Sequence, residues 1–379
     1  MKKTLPRRDF LKQTALAAGA AALPFAGASL FAQPPAAFPA NTAPRPHFPT
    51  ADPAWAITWD AALAILAGNV RSMPRYEHPV LVEGSTYAGI WQECAPQEGH
   101  VYGTLQKYVA TPAGIPTPLE TARANHMAFF AQQKPDGQLS ASIKLADKVG
   151  TGAGYGQIQM VVPIAATAWD IFQVTHDQEL LETAYKSCSL WDAWLRQYRD
   201  TRKTGLVEGF CTYDTGMDNS PRWKGVRNQC PGADARTCPP DPGVPRLCPD
   251  LSATVYGGRI ALAAMAKALN KRDDHARWLA DAEHIRQLIL TRLYSPEDAA
   301  FYDLDTDNKF VKVRSVVTIR VLGEHVLDPH TDKHLFNDIW TKQVHNPAAF
   351  WAPYPFPSSA LNEPTFVRPI PRNSWGGAS

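Results

Sequence analysis

The chain has 379 residues, with 38 basic against 36 acidic side chains, a formal charge of +2, 45% hydrophobic residues and 33 prolines. That is enough chain for one large or two modest domains with a true core, and it is not the composition of a disordered or fibrous protein. The near-balanced charge, with no basic stripe, argues against nucleic acid or acidic lipid as partners.

The N-terminus reads as an address. Arg7-Arg8-Asp9-Phe10-Leu11-Lys12 is a twin-arginine pattern, followed by an alanine-rich apolar run from Ala15 to Phe31 that Pro24 interrupts. Ala26-Gly27-Ala28 offers a small-x-small cleavage site, and Ala32 a second one. Residues 1–32 are therefore expected to be a signal segment. The mature protein is expected in the periplasm or outside the cell, delivered by the twin-arginine machinery. No later run reaches the ~20 apolar residues of a membrane span, so no stable membrane insertion is expected. A proline-rich linker over 33–55 and one domain over 56–379 complete the expected organisation.

Helical periodicity dominates that domain. Helices are predicted at 59–70, 120–132 and 160–174, the last with Pro163 in its first turn. Thr175 and Gln178 stand in capping-box spacing. The next helix runs to about Tyr198, with Leu181, Ala184, Tyr185, Cys188, Trp191, Leu195 and Tyr198 on one face. After a long irregular segment the unit recurs. A helix over 252–269 and a turn at 270–272 lead into a helix over 273–293, with Leu279, Ala282, Ile285, Leu288 and Ile289 inward. A further helix is predicted at 331–342, and strand-like runs at 79–83 and 310–321. Helix, tight turn, longer helix and long loop make αα-hairpins. Repeated hairpins suggest an α/α toroid with a cleft on its loop face; a two-layer helical bundle fits the same periodicity.

The chemistry concentrates in "TYDTGMDNSPRWKG", residues 212–225, where glycine, proline and asparagine rule out a long helix or central strand. Asp218 there is either a turn-capping acid or a general acid. Burial beside Tyr213, Met217 and Trp223 would raise its pKa. Arg222 is expected to pair with Asp214 or Glu208, or to offer its fork to sugar hydroxyls. Loop aromatics such as Trp91, Tyr213, Trp223, Trp351, Tyr354 and Trp375 suit stacking on apolar sugar faces. Trp169, Trp191, Trp194 and Trp278 lie on helices and read as core. The six cysteines show no zinc spacing; Cys230, Cys238 and Cys248 are candidates to staple a proline-rich excursion, and Cys188 reads as core. Asp303-Leu304-Asp305-Thr306-Asp307 begins like a calcium loop, but the twelfth position is Arg314, so it reads as a polar turn. The glycines of 151–157 lack the strand and acid of a dinucleotide site, and no phosphate loop or hydrolase elbow occurs. No cofactor or metal is expected.

Gly216-Met217-Asp218-Asn219-Ser220-Pro221-Arg222-Trp223 resembles the central motif of the family 63 glycoside hydrolases, which include processing α-glucosidases and mannosylglycerate hydrolases and are related to trehalases. Gln159 to Pro163 is similar to the family's Gln-Pro-Pro element, Tyr198-Arg199-Asp200 with Gly205-Leu206 to its stretch ahead of the motif, and Pro249-Asp250-Leu251-Ser252 to its helix start. Phe301-Tyr302-Asp303 is similar to a Tyr-Asp turn, and Arg372 to Gly377 to a tryptophan-bracketed segment. The resemblance covers about residues 80–379. It implies an all-α (α/α)6 toroid hydrolysing a glycosidic bond with inversion, incomplete at its C-terminal end. Asp218 is then the general acid. Trp91, Glu93, Gln159, Glu208, Tyr213, Asn219, Arg222, Trp223, Arg372 and Trp375 would contact a carbohydrate substrate. Glu93 stands where the family carries an aspartate. The family's general base lies near its C-terminus; Glu324 and Glu363 are the nearest acids in this tail, and neither has a matching context. A noncatalytic sugar-binding protein on the same scaffold is the alternative, and a lyase on a similar toroid a third, disfavoured because no histidine stands in the motif.

Overall fold

The structure, a computed structural model, describes residues 42–48, 52–73, 76–84, 87–145, 152–367, 375 and 377. The predicted signal segment, most of the linker and Arg372 lie outside them. None of the described helices is long and apolar enough to cross a membrane.

Helix α1 (Pro53–Gly68) starts inside the segment read as linker. Asp52 caps it by accepting from Ala54 N at 2.9 Å, and proline in the first turn loses no helical hydrogen bond. Helix α2 (Ala95–Thr104) falls outside the predicted helices. Its glycines and scattered polar residues hide the apolar period, and Gly99 and Gly103 press against the following helix. Helix α3 (Pro118–Ala131) begins in a full capping box, Thr117 with Glu120. Helix α4 (Ile164–Thr175) starts four residues later than the periodicity suggests, because residues 158–163 run in non-helical backbone with Gln159 at φ 46. Helix α5 (Gln178–Tyr198) is capped by Asp177, which accepts from Leu180 N at 3.0 Å. Thr175 instead donates to Ile171 O at 2.9 Å within the preceding helix, so its capping-box spacing is misleading.

Helices α6 (Pro249–Ala268) and α7 (Arg272–Leu288) form the second predicted hairpin, and a wider π turn over Ile289–Leu293 extends α7. On α7 the buried line is Trp278, Ala282 and Ile285; Leu279 is exposed, against expectation. The run 310–321 is not one strand. Phe310–Val311 pairs in a sheet, and Val317–Gly323 forms helix α8. Helix α9 (Lys333–Ile339) with its π turn matches the last predicted helix.

Packing sorts the helices into two rows. Helices α2, α4, α6 and α8 pack on one another in succession, while α3, α5 and α7 back them as hairpin partners. The sequence explains the sorting. Helix α6 buries Leu251, Ala253, Val255, Ala261, Leu262, Ala263, Met265 and Ala266 around its circumference, so it needs neighbours on several sides. Its alanines let them approach closely. Helix α5 has one apolar stripe and a charged opposite face, as an outer helix should. On that stripe Trp191 stacks on Trp194 with centroids 5.1 Å apart. Burying each such side chain contributes roughly 1.5–3 kcal/mol or more. The predicted core assignments of Cys188, Trp191, Trp194 and Trp278 hold; Trp169 is partly buried.

Short antiparallel strands join the loops. Glu208–Gly209 (after α5), Arg246–Leu247 (before α6), Asp303–Leu304 and Phe310–Val311 (both after α7) make one four-stranded sheet. A second sheet pairs Gly89–Trp91 with Ser142–Lys144 and Ala153–Gly154. Backbone hydrogen bonds thus fix loops that contain few apolar residues.

The two candidate caps of α5 can be told apart by stability. Asp177→Ala is expected to cost about 1 kcal/mol in urea unfolding, as loss of an N-cap does, and Thr175→Ala clearly less. Equal losses would mean the cap is misassigned.

Candidate active site

The motif 212–225 is shaped by two short 3-10 turns, Thr212–Thr215 and Pro221–Trp223, separated by Gly216 in the left-handed region at φ 67. Its first turn hangs on Asp214. That carboxylate, fully buried, receives Arg199 Nη1 at 2.5 Å and Nη2 at 3.1 Å. It also accepts from the backbone N–H groups of Ile158, Phe210 and Cys211. The second turn hangs on Arg222, which is 2% exposed. Its Nη1 meets Asp250 Oδ2 at 2.7 Å and its Nη2 meets Asp303 Oδ1 at 2.5 Å. Burial pushes the Asp250 carboxyl up, and Arg222, with Arg320 and the Leu251 N–H adding, more than reverses this, leaving it below its ordinary value.

Three predicted sugar contacts are corrected by these placements. Arg222 is committed to Asp250 and Asp303, neither of them an expected partner, and its fork is not free for hydroxyls. Trp223, 2% exposed, packs between the Arg222 and Arg246 guanidinium groups and donates from Nε1 to Thr215 Oγ1 at 3.0 Å. Glu208 is fully buried and accepts from the Thr201 N, Thr201 Oγ1 and Arg202 N groups. None of the three lines the cleft. Aromatic and charged residues in a glycine- and proline-rich stretch look alike whether they face a ligand or the interior.

The cleft itself, about 810 Å³, brings together Trp91, Glu93, Gln159, Tyr213, Asp218 and Trp375 from the predicted set. Asn219 acts from the edge: its Oδ1 accepts from Trp375 N at 3.0 Å. Sequence reasoning missed Glu83, Tyr87, Lys144, Gln157, Gln229 and Arg320, which also line the cleft. None stands in a recognisable motif, and Arg320 lies in the run misread as a strand. It donates to Thr215 O at 2.8 Å and lies 5.5 Å from the Trp375 ring centre.

Electrostatically the cleft is a group of crowded carboxyls. Asp218 opens to the cleft, yet desolvation by its walls raises its pKa, with its own backbone N–H opposing. Burial pushes Glu93 up to about 7; the Gln159 hydrogen bond opposes, Glu83 and Asp218 add to the rise, and Arg320 lowers it. Burial also raises Glu83, Cys94 opposing and Asp218 adding. Gly216 has a second reason to be glycine, since a Cβ there would lie 1.9 Å from Glu93 Oε2. The other acids considered from the sequence are elsewhere. Glu324 packs on Gly257 of α6, where burial pushes it up to about 8, and Glu363 receives Arg314 N at 3.0 Å.

Two clusters have the composition of metal sites, Cys211 with Asp214 and Cys230, and Cys248 with Asp250 and Asp303. Arg199 occupies the first and Arg222 contacts both acids of the second, so each already holds a cation. The expected staple among Cys230, Cys238 and Cys248 is not formed. Cys248 is buried near Arg222, and Cys230 lies 3.8 Å from Cys211, both as thiols. Asp303 belongs to a strand and Asp305 caps a turn through Asp307 N and Lys309 N at 2.9 Å each, as a polar turn should.

The fold has clear relatives among solved structures. The mannosylglycerate hydrolase of glycoside hydrolase family 63 from Thermus thermophilus, in complex with glucose, is 17% identical over 84% of this chain and 82% of its own, with a TM-score of 0.60. Its complex with Tris gives 17%, 84%, 83% and 0.62. Neutral trehalase Nth1 from Saccharomyces cerevisiae is 13% identical over 78% of this chain and 60% of its own, with a TM-score of 0.56. None of the curated proteins matches. The helical rows thus define a toroid of the six-hairpin glycosidase class. Residues 118–379 match the mannosylglycerate hydrolase MGH1-like glycoside hydrolase domain, and the chain belongs to that family of glycosidases.

Arg222→Met should leave Asp303 buried without its cation and Asp250 with only Arg320, at 3.6 Å, and cost about 3–5 kcal/mol, read by denaturant unfolding. A loss under 1 kcal/mol would show that the pairs do not hold the motif.

Proposed function

We propose that the chain hydrolyses an α-linked di- or oligosaccharide with inversion, Asp218 protonating the leaving oxygen. The observation that carries this reading is the division of labour inside the motif. Arg222 is turned inward onto Asp250 and Asp303, while Asp218 faces a cleft walled by Trp91, Tyr213 and Trp375. A carboxyl desolvated and kept from its motif's arginine favours its protonated form, as a general acid must.

The remaining roles follow from chemistry. Flat aromatic faces suit the apolar faces of a sugar ring, and Glu93 and Gln159 offer acceptors and donors to its hydroxyls. Inversion also needs a carboxylate about 6.5–9.5 Å away to activate water on the opposite face. The family resemblance implies that this group comes from a segment near the family's C-terminus. Neither Glu324 nor Glu363 lines the cleft, and Glu363 is held by Arg314 N. Mannosylglycerate and trehalose are the first substrates to try, from the names of the structural relatives. We place the activity in the periplasm or outside the cell on the strength of Arg7-Arg8 and the apolar run behind it. Cell fractionation tests this, and a purely cytoplasmic mature protein would refute it.

Asp218→Asn is expected to lower kcat on natural glycosides by about 10²–10⁴. The loss should be partly recovered on aryl glycosides whose leaving group departs without a proton, and circular dichroism should be unchanged. Proton NMR of the first-formed anomer reads the stereochemistry. Wild-type turnover by the Asn variant, or a retained anomer, would sink the assignment.

A further inference from the structure

We propose that Gln157 and Gln229 are positioning residues that act through Gln159 to hold the Glu93 carboxylate in one orientation beside Asp218. The proposal rests on the reading of this cleft as the sugar site. Gln229 Nε2 donates to Gln157 Oε1 at 2.9 Å, and Gln157 Nε2 to Gln159 Oε1 at 2.8 Å. Gln159 Nε2 then donates to Glu93 Oε1 at 3.0 Å. All three bonds run the same way, from the cleft rim to the carboxylate.

The direction has a physical cause. An ionised carboxylate only accepts, so it compels Gln159 to present its N–H₂ end and leaves the carbonyl of that amide for Gln157. The same logic passes outward to Gln229. Aligned amides polarise one another, so the last donor is stronger than an isolated amide. Turning one amide over would set oxygen against oxygen or N–H₂ against N–H₂.

The backbone is bent to make this chain possible. Gln159 sits at φ 46, a conformation costing a non-glycine residue about 1 kcal/mol or more. Asp214 clamps both sides of it: its Oδ1 takes Ile158 N and its carbonyl takes Met160 N, each at 2.9 Å. Gly156 clears the other end, since a Cβ there would lie 2.4 Å from Gln229 Nε2. Gln157 and Gln159 are 7% and 6% exposed, so their amides need protein partners.

Glu93 is faced by Glu83 from the loop before the second sheet, Asp218 from the motif and Arg320 from α8. Its hydrogen bond from Gln159 favours the charged form against burial and the two neighbouring acids. Weakening that bond must therefore raise the Glu93 pKa further above about 7, so that at a given pH near neutrality less of it is ionised.

The test uses the full chain with Gln157→Met, Gln157→Glu and Gln229→Met. Glutamate side-chain carboxyls are followed by carbon-13 NMR, with Glu93 assigned by loss of its resonance in Glu93→Gln. The expected result is a Glu93 midpoint raised by about half to one pH unit. The acidic limb of kcat/KM on mannosylglycerate should move up with it, and kcat/KM at pH 6 should fall about three- to tenfold. In the Glu93→Gln background the same substitutions should change kcat/KM no further. Gln229 is solvent-exposed, so Gln229→Met keeps the test alive if a Gln157 variant fails to fold. An unmoved Glu93 midpoint in folded Gln229→Met overturns the proposal, as does an undiminished effect of the substitutions without Glu93. The titration needs no turnover: a raised midpoint in a chain that cleaves no glycoside upholds the relay and refutes the hydrolase reading alone.

Discussion

The ion pair between Asp214 and Arg199 is the point on which the cleft is assembled. One carboxylate with no exposure gathers the end of α5 through Arg199, the strand-to-motif corner through Phe210 and Cys211, and the segment before α4 through Ile158. These pieces are far apart in sequence and none has an apolar face large enough to fix it. A buried carboxylate is costly unless every lone pair is used, and here the cost itself specifies the geometry, because no shifted arrangement satisfies the charge. Arg222 repeats the device one turn later with the charges reversed, one cation between Asp250 and Asp303.

These two knots explain how an irregular loop presents Asp218 to the cleft. Asp218 sits between them in the chain, at the part of the motif that neither knot consumes. Gly216, in the left-handed region and almost touching Glu93, turns the chain out of the first and toward the cleft. The neighbouring helices carry much of the hydrophobic stabilisation, and the charges in the loops convert a rigid frame into a particular surface. The division matches the broader physics: burial of apolar area is non-directional, whereas hydrogen-bonded charge pairs are not.

What could be read from the sequence follows the same line. Helices α5, α6 and α7 are long and strongly patterned, and their existence, order and hairpin pairing are legible from periodicity. Helix α2 is not, because glycine at its packing face replaces the apolar residues that periodicity looks for. The run 310–321 misleads because Val311, Val313, Val316 and Val317 are β-branched, while tertiary contacts turn the second half into α8. In the site, Asp218 is legible from its motif, and Trp91, Glu93, Gln159, Tyr213 and Trp375 do meet in one cleft. Arg222, Trp223 and Glu208 are buried and do not line it. A sequence motif records that residues are needed together, not which of them faces outward. Gln157, Gln229, Glu83 and Arg320 carry no local signal, since their significance arises only when four distant segments converge.

Three partly buried carboxyls take up protons when the chain folds. Glu93 and Glu98 are pushed up to about 7 by burial, Glu83 adding to both, and burial alone takes Glu324 to about 8. In the unfolded chain such groups release their protons near pH 4. Between those limits the native state binds protons that the unfolded state has already lost, so for these three groups stability is greatest below about pH 4 and declines as pH rises toward 8. Acid, which dissolves many folds by neutralising their carboxylates, therefore acts on this one in two directions, favouring these three groups while it threatens the ionised Asp214 and Asp250 that hold the loops.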